Sequence, residues 1–424
     1  MTTKSVLQAI KAEGPQEVQD SQVLEALKGF EVLGVVTPQY DCCVQKVIGE
    51  MAPYFKQLGI APAMAFDADP RKLVDSNPDW VLYLRSGSKD RTPAQILANL
   101  EGHITYYRSL GLEVSYYLDD ALFFMNNMAP LKLLWNCDRA IVATDALAEF
   151  LIEKQKFPKP IYVLKTHMDL PTFDRCMVPL YLTKPNKFNI LFTSQGRVGA
   201  LMIYRIMEYM DTHPEKYKNV NFIVVSAWVG QMRTILNKFR NVSKQYWEWM
   251  PLQEHYGLAR AVQLILAPGE EADLEGQVQP ELQHFWLHAK SCVKYTLAGA
   301  ARIPIISTPL NEYAKAITHE KTGFLATDLM QWIKYIDLCV NDRGLCAQIG
   351  AAARADVEQN WHIFKRSQQW YDLLHGKKDL MVERAQPESN DIPAQLQLPL
   401  QGVPGTGTAE CGKSNVPESG NPSN

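Results

Sequence analysis

Short apolar runs alternate with longer amphipathic stretches along most of the chain. This alternation predicts strands and helices in turn, which is typical of a parallel sheet with right-handed crossovers. In the first half the predicted strands cover residues 30–38, 80–86, 112–120, 139–145 and 160–165. The predicted helices between them cover 43–58, 93–110 and 146–154.

The alternation restarts after the polar, proline-bearing segment 181–187. The second set of predicted strands covers 188–196, 220–228, 262–268, 303–308 and 322–327. One predicted helix follows the strand at 188–196 and ends near Asp211. Further predicted helices cover 328–341, 343–359 and 361–375. We therefore expect an α/β protein with two domains, each built on a parallel sheet.

The predicted organisation has five parts: an N-terminal extension (1–28), a first domain (29–183), a second domain (184–358), a closing helix (359–378) and a disordered tail (379–424). The end of the tail is rich in Gly, Pro and Ser and has no aromatic residue, so it lacks core-forming side chains. It contains GTAECGKS (407–414), which matches the P-loop pattern. No apolar strand precedes this match and Pro417 follows it, so we predict no nucleotide site there.

Charge and composition narrow the possible partners. The net charge is −3 and the pI is about 6.3, which predicts no general attraction to nucleic acid or anionic lipid. No stretch is long and apolar enough to predict a transmembrane helix, and no signal peptide is recognisable. Eight cysteines without a C-x-x-C pair favour reduced thiols and a cytoplasmic protein.

Ligands of parallel α/β sheets bind beyond the carboxyl ends of strands, so residues there are the candidates for chemistry. Asp119 and Asp120 follow the strand at 112–118, and a helix N-cap is the alternative interpretation. Gly196 and Arg197 lie in SQGRVG (194–199), between a strand and a helix, where an anion could bind. An ordinary strand-to-helix turn would have the same composition.

A third candidate place is the start of the helix in HAKSCVKYTLAG (288–299). Ser291 can cap this helix, and Lys290 and Lys294 flank its first turn, which would suit a diphosphate. The alternative is that these lysines are ordinary solvated side chains.

Two further patterns could suggest a metal site. Glu281, His284 and His288 share a helical face, but no glutamate lies between the histidines as in H-E-x-x-H. Asp67 and Asp69 form a D-x-D followed by Pro70, which favours a turn. A divalent metal ion bound by these aspartates stays an alternative, but we predict no metal site.

Residues 30–375 resemble the GT-B glycosyltransferases, most closely the family 4 type that uses sugar nucleotides. The resemblance is carried by LILAPGE (264–270), residues 285–317 and residues 322–357, and by YYLDDALF (116–123) and IVATDALAEFL (141–151). It implies two Rossmann-like domains facing a cleft, with the donor on the second domain and the acceptor on the first. It also implies a final helix that returns to the first domain, retention of the anomeric configuration and no metal requirement.

The resemblance also implies roles for the candidate residues. Lys294 and Arg197 would neutralise the leaving diphosphate, and Asp119 would lie on the acceptor side. The donor would be bound by Gly196, Lys290, Ser291, Cys292 and Thr296. The family has a carboxylate for the donor ribose where this chain has Thr296.

The leading interpretation is a glycosyltransferase that takes a sugar from a nucleoside diphosphate, needs no further cofactor and acts on an unidentified carbohydrate, protein or lipid-linked acceptor. The alternative is a non-catalytic binding or scaffold protein of the same shape, which the substitution at Thr296 favours.

Overall fold

Two sets of parallel strands form the frame of the molecule. The computed structural model describes residues 27, 29–37, 44–66, 71–84, 93–119, 129–194, 198–270 and 280–382. The strands are β1 Glu31–Thr37, β2 Ile60–Phe66, β3 Trp80–Leu84, β4 Glu113–Leu118, β5 Arg139–Val142, β6 Ile161–Val163, β7 Phe188–Ser194, β8 Val220–Ser226, β9 Ser243–Trp247, β10 Leu264–Ala267, β11 Ile305–Ser307 and β12 Phe324–Leu325.

Within these ranges the strands form two six-stranded parallel sheets. The first has the order β2-β1-β3-β4-β5-β6, and the second has the order β12-β11-β10-β7-β8-β9. Every residue of β7 and β8 is buried, as expected for central strands that are covered on both faces. The prediction of two Rossmann-like α/β domains is confirmed.

Helices connect the strands and cover the sheets. They are α1 Ala52–Gln57, α2 Arg71–Val74, α3 Pro93–Ser109, α4 Ala129–Asn136, α5 Asp145–Glu149, α6 Leu170–Arg175, α7 Ala200–Asp211, α8 Pro214–Tyr217, α9 Val229–Leu236, α10 Leu252–Ala259, α11 Pro280–His288, α12 Val293–Ala300, α13 Asn311–Ala316, α14 Leu329–Asn341, α15 Arg343–Asn360 and α16 Ile363–Leu374. In the described part of the chain, none of them combines the length and the apolar character needed to cross a bilayer.

Two predicted helices are interrupted by π-helical turns. The helix predicted at 43–58 consists of a π turn, Gln45–Gly49, followed by α1. The one predicted at 146–154 is α5 followed by a second π turn, Phe150–Lys154. Each turn is closed by a hydrogen bond between residues five positions apart. The Glu50 N–H donates to the Gln45 carbonyl oxygen, and the Gln155 N–H donates to the Phe150 carbonyl oxygen.

The last helix, α16, returns to the first domain. Its apolar residues Ile363, Trp370 and Leu373 belong to the same buried cluster as Leu33 of β1 and Phe55 of α1. The ring centroid of Trp370 lies 6.3 Å from that of Phe55 and 5.8 Å from that of Tyr117 in β4. The predicted crossing of this helix back to the first domain is therefore confirmed.

The chain beyond α16 corrects the predicted start of the tail at residue 379. Met381 forms an antiparallel bridge with Tyr162 of β6, and Val382 N–H donates to the Ile161 carbonyl oxygen. This pairing is possible because β6 is the last strand of its sheet and has unpaired backbone groups on its outer side. The rest of the predicted tail, with the P-loop-like segment, and the predicted N-terminal extension up to residue 26 lie outside the described residues.

A buried group of four polar side chains joins the two domains, and we call it the junction cluster: Lys46, Glu50, His167 and Tyr256. Glu50 accepts a hydrogen bond from the Tyr256 hydroxyl at 2.6 Å, and its other oxygen lies 2.9 Å from Lys46 Nζ and 3.2 Å from His167 Nε2. Lys46 Nζ also donates to the Tyr256 hydroxyl at 2.6 Å. Burial raises the pKa of Glu50, but the Lys46 charge and the hydrogen bond to His167 outweigh it and bring the pKa to about 2.

Candidate functional site

The strand order of the second sheet indicates where a ligand would bind. Strands β8 and β9 lie on one side of β7, and strands β10 to β12, which follow in the chain, lie on its other side. In doubly wound sheets this reversal opens a crevice at the carboxyl ends of the two strands concerned. Here these ends are Ser194 of β7 and Ala267 of β10.

The loop after β7 passes very close to the segment after β10. Gly199 precedes α7 with a φ of +85°, in the left-handed region that favours glycine. A Cβ at this position would lie 2.8 Å from the Pro268 carbonyl oxygen, so a larger residue would push the loop away. Gly196 and Arg197, which belong to this loop, lie outside the described residues, and their roles stay predictions.

Helix α12 starts beside this crevice, one residue later than expected for a Ser291 cap. Its N-cap is Cys292, which is buried and makes no side-chain cap hydrogen bond. The Cys292 carbonyl oxygen accepts from the N–H groups of Tyr295 and Thr296. Ser291 is partly exposed and directly precedes the cap.

Lys294, in the first turn of α12, extends toward the carboxyl half of β7. Its Nζ lies 5.6 Å from the centroid of the Phe192 ring, two residues before the end of that strand. The Lys294 charge also acts on His255 of α10, whose pKa is lowered to about 4 by burial and, secondly, by this charge. The structure therefore places a cation at the reversal of the sheet.

The other predicted donor-site residues lie around the start of α12. Lys290 Nζ lies 3.5 Å from the centroid of the Trp286 ring, a cation–π contact with α11. Thr296 is fully buried, and its hydroxyl donates to the Val293 carbonyl oxygen at 2.9 Å. The hydroxyl proton is thus used within α12, while the oxygen can still accept a further hydrogen bond.

On the first domain, Asp119 directly follows β4 and is partly exposed, and Asp120 lies outside the described residues. The first domain approaches α12 at a different place. The hydroxyl of Thr144, which caps α5, donates to the Ala289 carbonyl oxygen at 3.1 Å. This hydrogen bond links the carboxyl edge of the first sheet directly to the segment that leads into α12.

A charged group that the sequence analysis missed spans the cleft, and we call it the cross-cleft cluster: Asp145 and Lys165 from the first domain, Glu312 and Lys315 from the second. Asp145 Oδ2 lies 3.1 Å from Lys165 Nζ and 2.8 Å from Lys315 Nζ. Lys165 Nζ also lies 3.4 Å from Glu312 Oε2. Each of these residues follows the carboxyl end of a strand, so the rule that selected Asp119 could have found them.

The two carboxyl groups of this cluster differ in their pKa. Burial raises the pKa of Asp145, but hydrogen bonds from Lys315 and Lys165 outweigh it and lower the pKa. Glu312 is only 2% exposed, and burial raises its pKa by more than Lys165 lowers it. Glu312 is therefore the carboxyl group of the pair that takes up a proton more readily.

Only part of the histidine and aspartate patterns lies within the described structure. The His284 and His288 rings pack together with centroids 4.2 Å apart. The side chain of Glu281 and residues Asp67 and Asp69 lie outside the described residues. Among the residues that are described, no three His, Cys, Asp or Glu side chains are grouped so that they could hold a metal ion.

Comparisons with known proteins give similar structures but no similar sequences: no family model and no curated protein matches the chain. Anabaena HepE, solved with UDP and glucose, is 14% identical over 82% of this chain and 100% of its own, with a TM-score of 0.57. A glycosyltransferase from Rickettsia africae ESF-5 is 15% identical over 82% and 99%, with a TM-score of 0.55. Sucrose-phosphate synthase from Thermosynechococcus elongatus is 11% identical over 81% and 98%, with a TM-score of 0.57.

This protein has the GT-B fold. The matches cover nearly the whole of each known structure, so both domains of the GT-B fold are present rather than one. At these identities the likeness establishes the fold, and the activity has to be argued from the residues of this chain.

The buried His255 beside the site should make the stability of the protein depend on pH. Its pKa falls from 6.5 to about 4 on folding, so the folded state binds fewer protons than the unfolded state between these values. The free energy of unfolding should therefore fall as the pH is lowered from 6.5 to 4, by about 3 kcal/mol in total from this residue. Urea unfolding at several pH values should show a weaker pH dependence for His255→Gln than for the parent, and equal dependence would contradict the shift.

Proposed function

We propose that the protein is a glycosyltransferase that transfers a sugar from a nucleoside diphosphate sugar to an acceptor. The observation that carries the proposal is the position of Lys294, which lies in the first turn of α12 and next to the carboxyl half of β7. A helix N-terminus and an ammonium group together favour an anion. The crevice where they lie is the place where doubly wound sheets bind nucleotides.

The proposed chemistry is cleavage of the bond between the sugar and the diphosphate. Negative charge builds up on the diphosphate as this bond breaks, and cations that are already in position lower the barrier. Lys294 and Arg197 would supply this charge, with Gly196, Lys290, Ser291 and Cys292 around the diphosphate and Thr296 beside the ribose. Asp119 would lie on the acceptor side.

Several finer parts belong to the proposal. The HepE structures with UDP and UDP-glucose support a uridine nucleotide as the donor. Metal independence and retention of the anomeric configuration are proposed with it. We also propose a cytoplasmic location, because the five described cysteines, all free thiols, would stay reduced there.

A non-catalytic protein that binds nucleotide sugars is the second candidate. It is favoured by Thr296, which is fully buried and donates its hydroxyl proton within its own helix. A hydroxyl also forms a weaker bond to a ribose than the carboxylate that the resemblance implies. Release of UDP from UDP-sugars in the presence of acceptors separates the two candidates, because only the enzyme releases it.

His255 offers a test of the proposed diphosphate position that needs no activity. The Lys294 charge lowers the pKa of His255, so a diphosphate bound at Lys294 should neutralise this charge and raise that pKa. We expect saturating UDP to raise the pKa by about one unit, measured by NMR titration of the His255 ring from pH 7 down to about pH 3.

Two variants make this test specific. In Lys294→Met the His255 pKa should already be higher and should not respond to UDP. Lys334→Met removes an exposed lysine of α14 and should leave the response as it is in the parent. If UDP binds the parent but leaves the His255 pKa unchanged, the diphosphate does not bind at Lys294.

A further inference from the structure

Glu312 is a buried carboxylate with an oxygen that lacks a hydrogen bond. It lies in the first turn of α13, five residues after β11 ends, at the carboxyl edge of the second sheet. Its side chain is 2% exposed, and within the described structure Oε1 has no hydrogen-bond partner. A buried acceptor that stays unpaired costs free energy, so this oxygen calls for an explanation.

The neighbouring lysines do not satisfy this oxygen. Lys315 Nζ lies 4.0 Å from Oε1, beyond hydrogen-bond distance, and points instead to Asp145 at 2.8 Å. Lys165 Nζ contacts the other oxygen, Oε2, at 3.4 Å. Lys165 therefore fixes one side of the carboxylate and leaves the other side able to accept.

The start of α12 lies close to this carboxylate. The pKa of the Cys292 thiol is raised by burial and, secondly, by the Glu312 charge, while Lys165 lowers it. Cys292 is the N-cap of α12, beside which the proposed diphosphate binds. The contacts agree with this proximity: Thr144 donates to the Ala289 carbonyl oxygen, three residues before Cys292, and the adjacent Asp145 contacts both lysines that lie beside Glu312. Under the proposed function the sugar is attached directly to that diphosphate, so Glu312 lies on the side of the site where the sugar ring would bind.

We propose that Glu312 Oε1 accepts a hydrogen bond from a hydroxyl group of the transferred sugar and thereby selects the sugar. This inference rests on the proposed function. A hydroxyl would satisfy the unpaired oxygen, and a site built around a buried acceptor discriminates strongly against ligands that lack the matching donor. Because Lys165 comes from the first domain, the carboxylate is held in this position only while the two domains are together.

The test compares UDP with UDP-sugars by isothermal titration calorimetry. The ligands are UDP, UDP-glucose, UDP-galactose and UDP-N-acetylglucosamine, which differ in the hydroxyl groups that they present. The parent should bind at least one UDP-sugar more tightly than UDP. In Glu312→Leu this gain should fall by about tenfold or more, whereas UDP should bind as in the parent. In Glu312→Gln the loss should be smaller, because the amide oxygen can still accept.

Asp145→Asn provides the matched control. It weakens the lysine contacts of the cross-cleft cluster and keeps the Glu312 carboxylate, so it should change the affinities for UDP and UDP-sugars by the same factor. Melting temperatures check the folding of each variant, and Glu312→Leu should fold because Lys165 and Lys315, the two lysines beside Glu312, keep Asp145 as their partner.

The outcomes separate this inference from the proposed function. If the parent binds neither UDP nor any UDP-sugar, the donor site itself is wrong and the role of Glu312 falls with it. If the parent binds them and Glu312→Leu keeps its preference for the UDP-sugar, or loses UDP and UDP-sugar equally, only the role of Glu312 is overturned.

Discussion

Lys294→Ala should lower the turnover number of sugar transfer by about 100-fold to 1,000-fold. The ammonium group lies at the start of α12, where negative charge would collect on the leaving diphosphate. An interaction that strengthens as the bond breaks contributes more to the transition state than to donor binding. The dissociation constant of the donor should therefore rise by a smaller factor, on the order of tenfold.

Steady-state kinetics and calorimetric titration with the same nucleotide sugar check this prediction. Lys334→Ala, which removes an exposed lysine of α14, is the control and should behave like the parent in both measurements. Unchanged turnover in Lys294→Ala would mean that the diphosphate leaves from another part of the cleft. A loss of affinity without a loss of turnover would instead favour a simple binding contact.

Gly350→Ala should destabilise the second domain by about 3 kcal/mol or more. Gly350 lies in α15, where a Cβ would come within 2.0 Å of the Arg302 carbonyl oxygen and 2.4 Å of its carbonyl carbon. Both atoms belong to the backbone that leads from α12 into β11, so they cannot move without shifting that connection. Because the substitution displaces the end of α12, it should also weaken donor binding.

Urea unfolding of the parent and the variant measures this effect. Gly102→Ala in α3 is the control, because a Cβ there has no atom within 4 Å and alanine is the better helix former. The control should match the parent or exceed its stability by up to about 1 kcal/mol. Equal stability of Gly350→Ala and the parent would show that α15 and the 302–303 backbone are not in such close contact.

The central strands could be predicted from the sequence because they are continuous apolar runs. Strands β2 and β9 could not, since β2 carries Pro62 and β9 is a polar segment, SKQYW, whose residues are all partly exposed. Both lie at the edge of their sheet, where a proline or a polar segment is tolerated because one side of the strand needs no partner.

The same limit applies to the candidate site. Lys294 was predictable because it lies in the first turn of a helix that can be recognised locally. The residues of the cross-cleft cluster could have been found by their positions after strand ends, but their contacts could not, because these join residues far apart in the chain: Lys315 and Asp145 are separated by 170 positions. Which strand ends face each other depends on how the two domains pack, and the local apolar pattern carries no information on that packing.

The junction cluster restricts how the two domains can move. Glu50 is a buried charged group, and its partners come from both domains: Lys46 and His167 from the first, Tyr256 from the second. Separating the domains at this point would remove a hydrogen bond from a buried carboxylate, which costs far more than breaking the partly exposed ion pair between Asp145 and Lys315. Opening of the cleft should therefore be a rotation about an axis through the junction cluster rather than a translation. The displacement of each atom then grows with its distance from this axis, so the junction cluster stays buried while the far rim of the cleft opens most and admits the substrates.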